Sequence, residues 1–218
     1  MIQAAIFDMD GLLIDSEPLW QLAEREIFTS IGVRVTDELA EQTATMTTRE
    51  VTKFWFDLYP WSGLRLHEVE NAVINRVEAL VEERGSELQG VSTTLSLLAS
   101  KGIKIGLSTN SPYQLIPVIL NKLGIASFFD AISSSDDVKK GKPEPDVYLS
   151  TVNKLGVEAR HCIAFEDSYS GMLAATRANI KTIVVPHPNK YQQDFSESHL
   201  KLQSLSDFNE SHLATLMS

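Results

Sequence analysis

From about Leu88 onward the chain alternates short apolar runs with helical patterns, and this alternation constrains the fold more than any other feature. The runs Ile103-Lys104-Ile105-Gly106-Leu107, Ala131-Ile132-Ser133, Cys162-Ile163-Ala164-Phe165 and Thr182-Ile183-Val184-Val185 read as strands. Helical patterns lie around and between them at Ser92–Ser100, Pro112–Leu123, Asp146–Leu155 and Gly171–Ala178. Gly102, Gly124 and Gly156 stand where these helices should end. Pro117, inside one pattern, predicts a kink or an early stop. Strands joined by helices on short connections predict a parallel sheet covered on both faces.

One more strand, Gln3 to Phe7, runs into Asp8-Met9-Asp10-Gly11. Some 90 residues separate it from the next strand, too many for a loop. The intervening stretch, Ser16 to Gly85, reads as all-helical. Ser16-Glu17-Pro18 has the pattern of a helix start, a Ser cap with Pro in the first turn. Leu19, Leu22, Ala23, Ile27 and Ile31 follow at helical spacing, and Val69, Val73, Ile74, Val77, Leu80 and Val81 repeat the pattern. The organisation expected is therefore an α/β core from residues 1–15 and 86–218, with residues 16–85 inserted as a helical cap. All three tryptophans, Trp20, Trp55 and Trp61, fall in the insert and are first of all candidates for its core.

In a parallel sheet, ligands bind beyond the carboxyl ends of the strands. The segments found there are Asp8-Met9-Asp10-Gly11, Ser108-Thr109-Asn110-Ser111, a loop containing Lys142, and Glu166-Asp167-Ser168. An acidic cluster of oxygen ligands suits Mg²⁺. A lysine with neutral donors suits phosphate oxygens, and aspartate is a competent nucleophile toward phosphorus. Together these residues point to phosphoryl transfer. Asn110-Ser111-Pro112 also has the pattern of a helix cap, and Ser168 and Ser170 that of another. Asp136-Asp137 reads as a turn or helix start, and Lys139 and Lys140 as solvent-facing.

Charge and composition narrow the partners. Lys and Arg number 19 against 29 Asp and Glu, a net charge of −10, which opposes general nucleic-acid binding. No apolar run exceeds roughly five residues, far short of a membrane span. The lone Cys162 suits a reducing cytoplasm and lies in an apolar strand, where packing is the expected role. The N-terminus lacks a basic signal-peptide region, so a cytoplasmic protein with no membrane partner is expected.

The motifs, taken in order, resemble the haloacid dehalogenase superfamily, in its subgroup of small sugar-phosphate phosphatases and β-phosphoglucomutase-like enzymes. Phe7-Asp8-Met9-Asp10-Gly11 through Asp15-Ser16-Glu17-Pro18 is similar to the opening signature, and Leu107-Ser108-Thr109-Asn110-Ser111 to the second motif. Gly141-Lys142-Pro143-Glu144-Pro145-Asp146 carries the third-motif lysine, and Phe165-Glu166-Asp167-Ser168 is the acidic fourth motif. Pro60-Trp61 and the run from Asp10 to Pro18 resemble the subset of bacterial hexitol-phosphate and 2-deoxyglucose-6-phosphate phosphatases.

The resemblance implies a Rossmann-like parallel core with the helical cap, and a Mg²⁺-dependent phosphatase, often monomeric, acting on a small phosphorylated sugar or polyol. It implies Asp8 as nucleophile and metal ligand, and Asp10 as acid and base with its backbone carbonyl on the metal. Asp167 is implied as a further metal ligand, with Glu166 a weaker candidate. Thr109, Asn110 and Lys142 would hold the phosphate. In the cap, Arg49 is a candidate for substrate contact or for a surface ion pair, although Thr45-Met46 replaces the usual Gly-Leu before it. Glu17 and Trp61 are candidates for contacts to sugar hydroxyls. The cap would close on tethers near Gly11–Ser16 and Gly85–Gly90. Alternatives are a β-phosphoglucomutase-type mutase and a non-catalytic member of the fold.

Overall fold

The computed structural model describes residues 1–43, 46–187 and 193–217. Strand β1 (Ala4–Phe7) leads into four helices, α1 (Glu17–Ser30), α2 (Asp37–Thr43), α3 (Thr48–Leu58) and α4 (Leu66–Arg84). The chain then alternates: α5 (Val91–Ser100), β2 (Lys104–Thr109), α6 (Leu115–Lys122), β3 (Ala131–Ser134), α7 (Asp146–Leu155) and β4 (Cys162–Glu166). It ends with α8 (Tyr169–Arg177), β5 (Lys181–Val184), β6 (Leu200–Lys201) and α9 (Glu210–Met217). The strands form one six-stranded sheet in the order β3-β2-β1-β4-β5-β6. Every pair is parallel.

Strand periodicity divides the sheet's side chains between two layers. Ala5 and Phe7 join one apolar cluster with Leu95 and Leu98 of α5 and with Phe208 and Leu213 near the C-terminus. Ala4 and Ile6 join the other, with Val152 of α7 and Ala174 and Ala175 of α8. Phe7 stacks on Phe165 at 4.5 Å, and Phe208 meets Phe165 edge-on at 4.9 Å. The first cluster continues through Leu12, Leu13 and Ile14 into the helical segment, where α4 buries Val69, Val73, Ile74, Val77, Leu80 and Val81. Each such side chain contributes about 1.5–3 kcal/mol of burial. The segments leading into and out of the helices lie side by side: Ile14 bridges Glu87, and Leu88 N donates to Leu13 O at 3.0 Å.

Three local expectations are corrected. Helix α6 begins at Leu115 rather than Pro112, so Pro117 falls in the first turn. There its missing N–H leaves nothing unpaired, and neither kink nor early stop results. Ser16 stands at the start of α1, with Pro18 in the first turn as expected, but its hydroxyl does not cap the helix. It bonds Asp10 instead. The third is β6, which the sequence reading passed over because two residues carry no periodicity. Residues from 193 on close one face of the core: Thr94 Oγ1 of α5 donates to Leu205 O at 3.0 Å, and Lys181 Nζ to Leu216 O at 2.6 Å.

Candidate active site

The register brings the motif residues together. Phe7 pairs with Leu107 on one side and Phe165 on the other, so the residues following β1 sit between the ends of β2 and β4. Asp8 lies there, 7% exposed, beside Lys142, also 7% exposed. Lys142 Nζ donates to Asp8 Oδ1 at 2.6 Å and to Glu166 Oε1 at 2.5 Å. Tyr148 OH donates to the same Glu166 oxygen at 2.6 Å, and the ammonium stands 5.1 Å from the Tyr148 ring centre. Tyr148 is a residue that the sequence reading missed. On α7 it looks like one more apolar core position, and only the hydroxyl distinguishes it.

Asp8, Glu166 and Asp167 each offer a carboxylate oxygen within 4.8 Å of one another, all buried. Glu166 Oε2 has no hydrogen-bond partner among the described residues. A buried carboxylate oxygen without a partner is costly unless something else satisfies it. Three carboxylates against one ammonium therefore fit a hard divalent cation. The backbone is shaped around them. A Cβ on Gly171 would lie 1.9 Å from Glu166 Oε2, and one on Gly11 2.4 Å from Asp167 Oδ2. Gly11 also has φ of +77°, where a side chain is strained.

Burial raises the Asp8 carboxyl well above the ordinary range; Lys142 opposes this, while Glu166, Asp167 and Asp10 add to it. Burial works against the charge on Lys142, but Asp8 and Glu166 more than offset it, and the ammonium titrates above the usual lysine range. The site concentrates negative charge that a bound cation would offset.

Asp10 has different company. Ser16 Oγ donates to Oδ1 at 2.6 Å and Trp20 Nε1 to the same oxygen at 3.1 Å. Ser111 Oγ donates to Oδ2 at 2.6 Å, with Thr109 Oγ1 at 3.4 Å. Thus α1 reaches the carboxylate of the sheet rim through an indole N–H. The side chain of Asp10 lies outside the acidic triad, whose third member is Glu166. Ser111 serves Asp10 rather than capping α6, the cap expected from its sequence. Asn110, expected on the phosphate, also clamps the Lys142 backbone with its side chain, accepting from Lys142 N at 2.8 Å and donating to Lys142 O at 3.3 Å. Ser168 caps α8 as expected, accepting from Gly171 N. Burial pushes the Cys162 thiol up to about 11, in keeping with packing.

The cap candidates are placed less centrally. Arg49 sits in the first turn of α3, which a reciprocal Thr47–Glu50 capping box fixes. Its side chain is 85% exposed and lies 4.0 Å from Glu70 Oε2, a loose surface ion pair. Thr45 before it lies outside the described residues. Trp61 packs against Phe28 and Phe56, and its buried Nε1 has no hydrogen-bond partner among the described residues. The half-buried ring therefore serves the core of the helical segment, the first of its two readings. Glu17 opens α1 and accepts from Gln21 at 3.5 Å.

The chain matches the haloacid dehalogenase-like hydrolases over residues 5–185. It belongs to that family. Hexitol phosphatase B of Escherichia coli K12 is 40% identical over 209 residues, covering 94% of each chain. The phosphorylated carbohydrates phosphatase of Thermotoga maritima is 33% identical over 182 residues, covering 84% of each. Among solved structures, β-phosphoglucomutase from Clostridium difficile superposes with a TM-score of 0.87 at 25% identity, covering 99% of this chain and 97% of that one. These relatives bear out the expected fold and the expected class of enzyme, a family phosphatase. Among the described residues, no helix is long and apolar enough to cross a membrane.

Proposed function

We propose that the chain is a Mg²⁺-dependent phosphatase that hydrolyses small phosphorylated sugars or sugar alcohols through an aspartyl-phosphate at Asp8. The observation that carries this reading is the buried Asp8 carboxylate, paired with Lys142 at 2.6 Å and set in a triad with an unpartnered Glu166 oxygen. Asp8, Asp167 and Glu166, with the Asp10 carbonyl, are the groups that would hold the ion. When bound, Mg²⁺ supplies the positive charge that lets an anionic carboxylate approach an anionic phosphate.

An Asp8 oxygen attacks phosphorus, and the bond from phosphorus to the sugar oxygen breaks. Lys142 neutralises charge on the transferring group, with Thr109 and Asn110 at its edge. Asp10 gives its proton to the departing alkoxide. It then takes a proton from a water that attacks the same phosphorus, which frees phosphate and restores Asp8. Ser16, Trp20 and Ser111 hold Asp10 for this task without touching the Lys142 cluster. The helical segment, residues 16–85, acts as a cap that turns on the two adjacent connections bridged at Ile14 and Glu87. The names of the hexitol and carbohydrate phosphatase relatives support the substrate class.

The likeness to β-phosphoglucomutase favours one second reading, a sugar-phosphate mutase. An assay that follows both phosphate release and isomer interconversion separates the two. We expect Mg²⁺-dependent phosphate release from hexose and hexitol monophosphates, lost on chelation with EDTA and restored by added Mg²⁺. Interconversion without release would establish the mutase, and no turnover of any phosphoester would overturn both.

A further inference from the structure

Glu24 is a charge that the reaction above does not use. It lies in the middle of α1, half-buried, and among the described residues it has no hydrogen-bond or ion-pair partner. Other charged residues of this helix are engaged: Glu26 with Arg76 at 2.6 Å and Arg25 with Asp37 at 2.5 Å. Burial alone pushes the Glu24 carboxyl up to about 7, with no nearby cation to offset it. An amphipathic helix gains nothing from an acid in such a place.

Its position gives it a use. Trp20 reaches Asp10 with its indole N–H, and residues four apart on a helix share a face. Glu24 is one turn beyond Trp20, and Phe28 one turn beyond that. Phe28 lies against Trp55 and Trp61 at 5.9 and 6.3 Å between ring centres. The row Trp20, Glu24, Phe28 thus runs from the Asp10 carboxylate to the aromatic floor of the helical segment. Trp20 and Glu24 are half-buried while Phe28 is fully buried, so the accessible part of the row is the end nearer Asp10.

We propose that Glu24 determines specificity: its carboxylate accepts hydrogen bonds from hydroxyls of the bound sugar or polyol and repels a second phosphate. A carboxylate accepts strongly from neighbouring hydroxyls, and a dianion beside it is disfavoured. Nothing cationic answers a second phosphate from this helix face, and Arg49 is turned outward toward Glu70. Glu24 therefore selects hydroxyl-rich monophosphates over bisphosphates. This inference rests on the phosphatase reading, and the wild-type arm of the experiment tests that reading separately.

The test is steady-state kinetics of wild type, Glu24→Gln and Glu24→Ala above neutral pH with Mg²⁺. The substrates are sorbitol 6-phosphate, glucose 6-phosphate and p-nitrophenyl phosphate; glucose 1,6-bisphosphate is the inhibitor. Wild-type turnover of a sugar phosphate sustains the phosphatase reading; turnover of p-nitrophenyl phosphate alone would refute its substrate class. For the variants we expect KM for the sugar phosphates to rise about tenfold or more. KM for p-nitrophenyl phosphate, which has no hydroxyls to offer, should stay within about twofold, and the bisphosphate should inhibit more tightly. Melting temperatures should hold or rise, since an unpartnered half-buried charge is removed. Equal shifts for all esters, no shift in any, or unchanged bisphosphate inhibition overturns the proposal.

Discussion

Asp8→Asn is expected to reduce phosphate release by about a thousandfold or more while the protein stays folded. Asparagine keeps the shape and an oxygen that can accept from Lys142, so the hydrogen bond at 2.6 Å survives in kind. What disappears is the carboxylate proposed as the nucleophile. The same change removes a charge from a site that holds Asp8, Glu166 and Asp167 within 4.8 Å of one another. Burial already disfavours ionisation of Asp8. The melting temperature should therefore hold or rise while activity collapses, the pattern of a site that sacrifices stability for function. Phosphate assays and thermal melts on the same preparation check both halves. Activity near wild type would remove Asp8 from the reaction.

Lys142→Met should be damaging in both respects. The lysine side chain is 4% exposed and lies between Asp8 and Glu166, at 2.6 and 2.5 Å. Methionine fills similar volume but leaves two buried carboxylates facing each other. Removing one partner of a buried ion pair costs about 3–5 kcal/mol, a large share of the ~5–15 kcal/mol that holds a domain folded. Tyr148 would keep its hydrogen bond to Glu166 but lose the cation over its ring. Activity should fall about a hundredfold or more through lost charge stabilisation on the transferring group. Denaturant titration and kcat measure the two effects. A variant as stable as wild type would mean that the carboxylates are neutral in the folded protein.

The frame of this fold was legible because periodicity is a long-range signal. The row from Val69 to Val81 states a helix and its buried face at once, and all six apolar positions are buried. The strands were legible as β-branched runs, and four of the site's acids and its lysine stand directly after them or in the loop before α7. The remainder was hidden where one residue type has two uses. Ser16 and Ser111 read as helix caps, yet both hydroxyls donate to Asp10. Asn110 reads as a phosphate donor, and its second use, as a clamp on the Lys142 backbone, shows only in three dimensions. Trp61 reads first as core, and it packs edge-on against Phe56 while remaining half-buried. Glu24 reads as any acid on an amphipathic helix; its lack of a partner is a property of three dimensions.

The most direct test of Asp8 as the phosphorylated group is to trap it. The enzyme, turning over a hexitol phosphate with Mg²⁺, is quenched and treated with borohydride, which reduces an acyl phosphate to the alcohol. Peptide mass spectrometry should then find homoserine in place of aspartate at position 8, dependent on substrate and present at no other acid of the site. Steady phosphate release with position 8 unmodified and the reduced residue elsewhere would contradict the central claim.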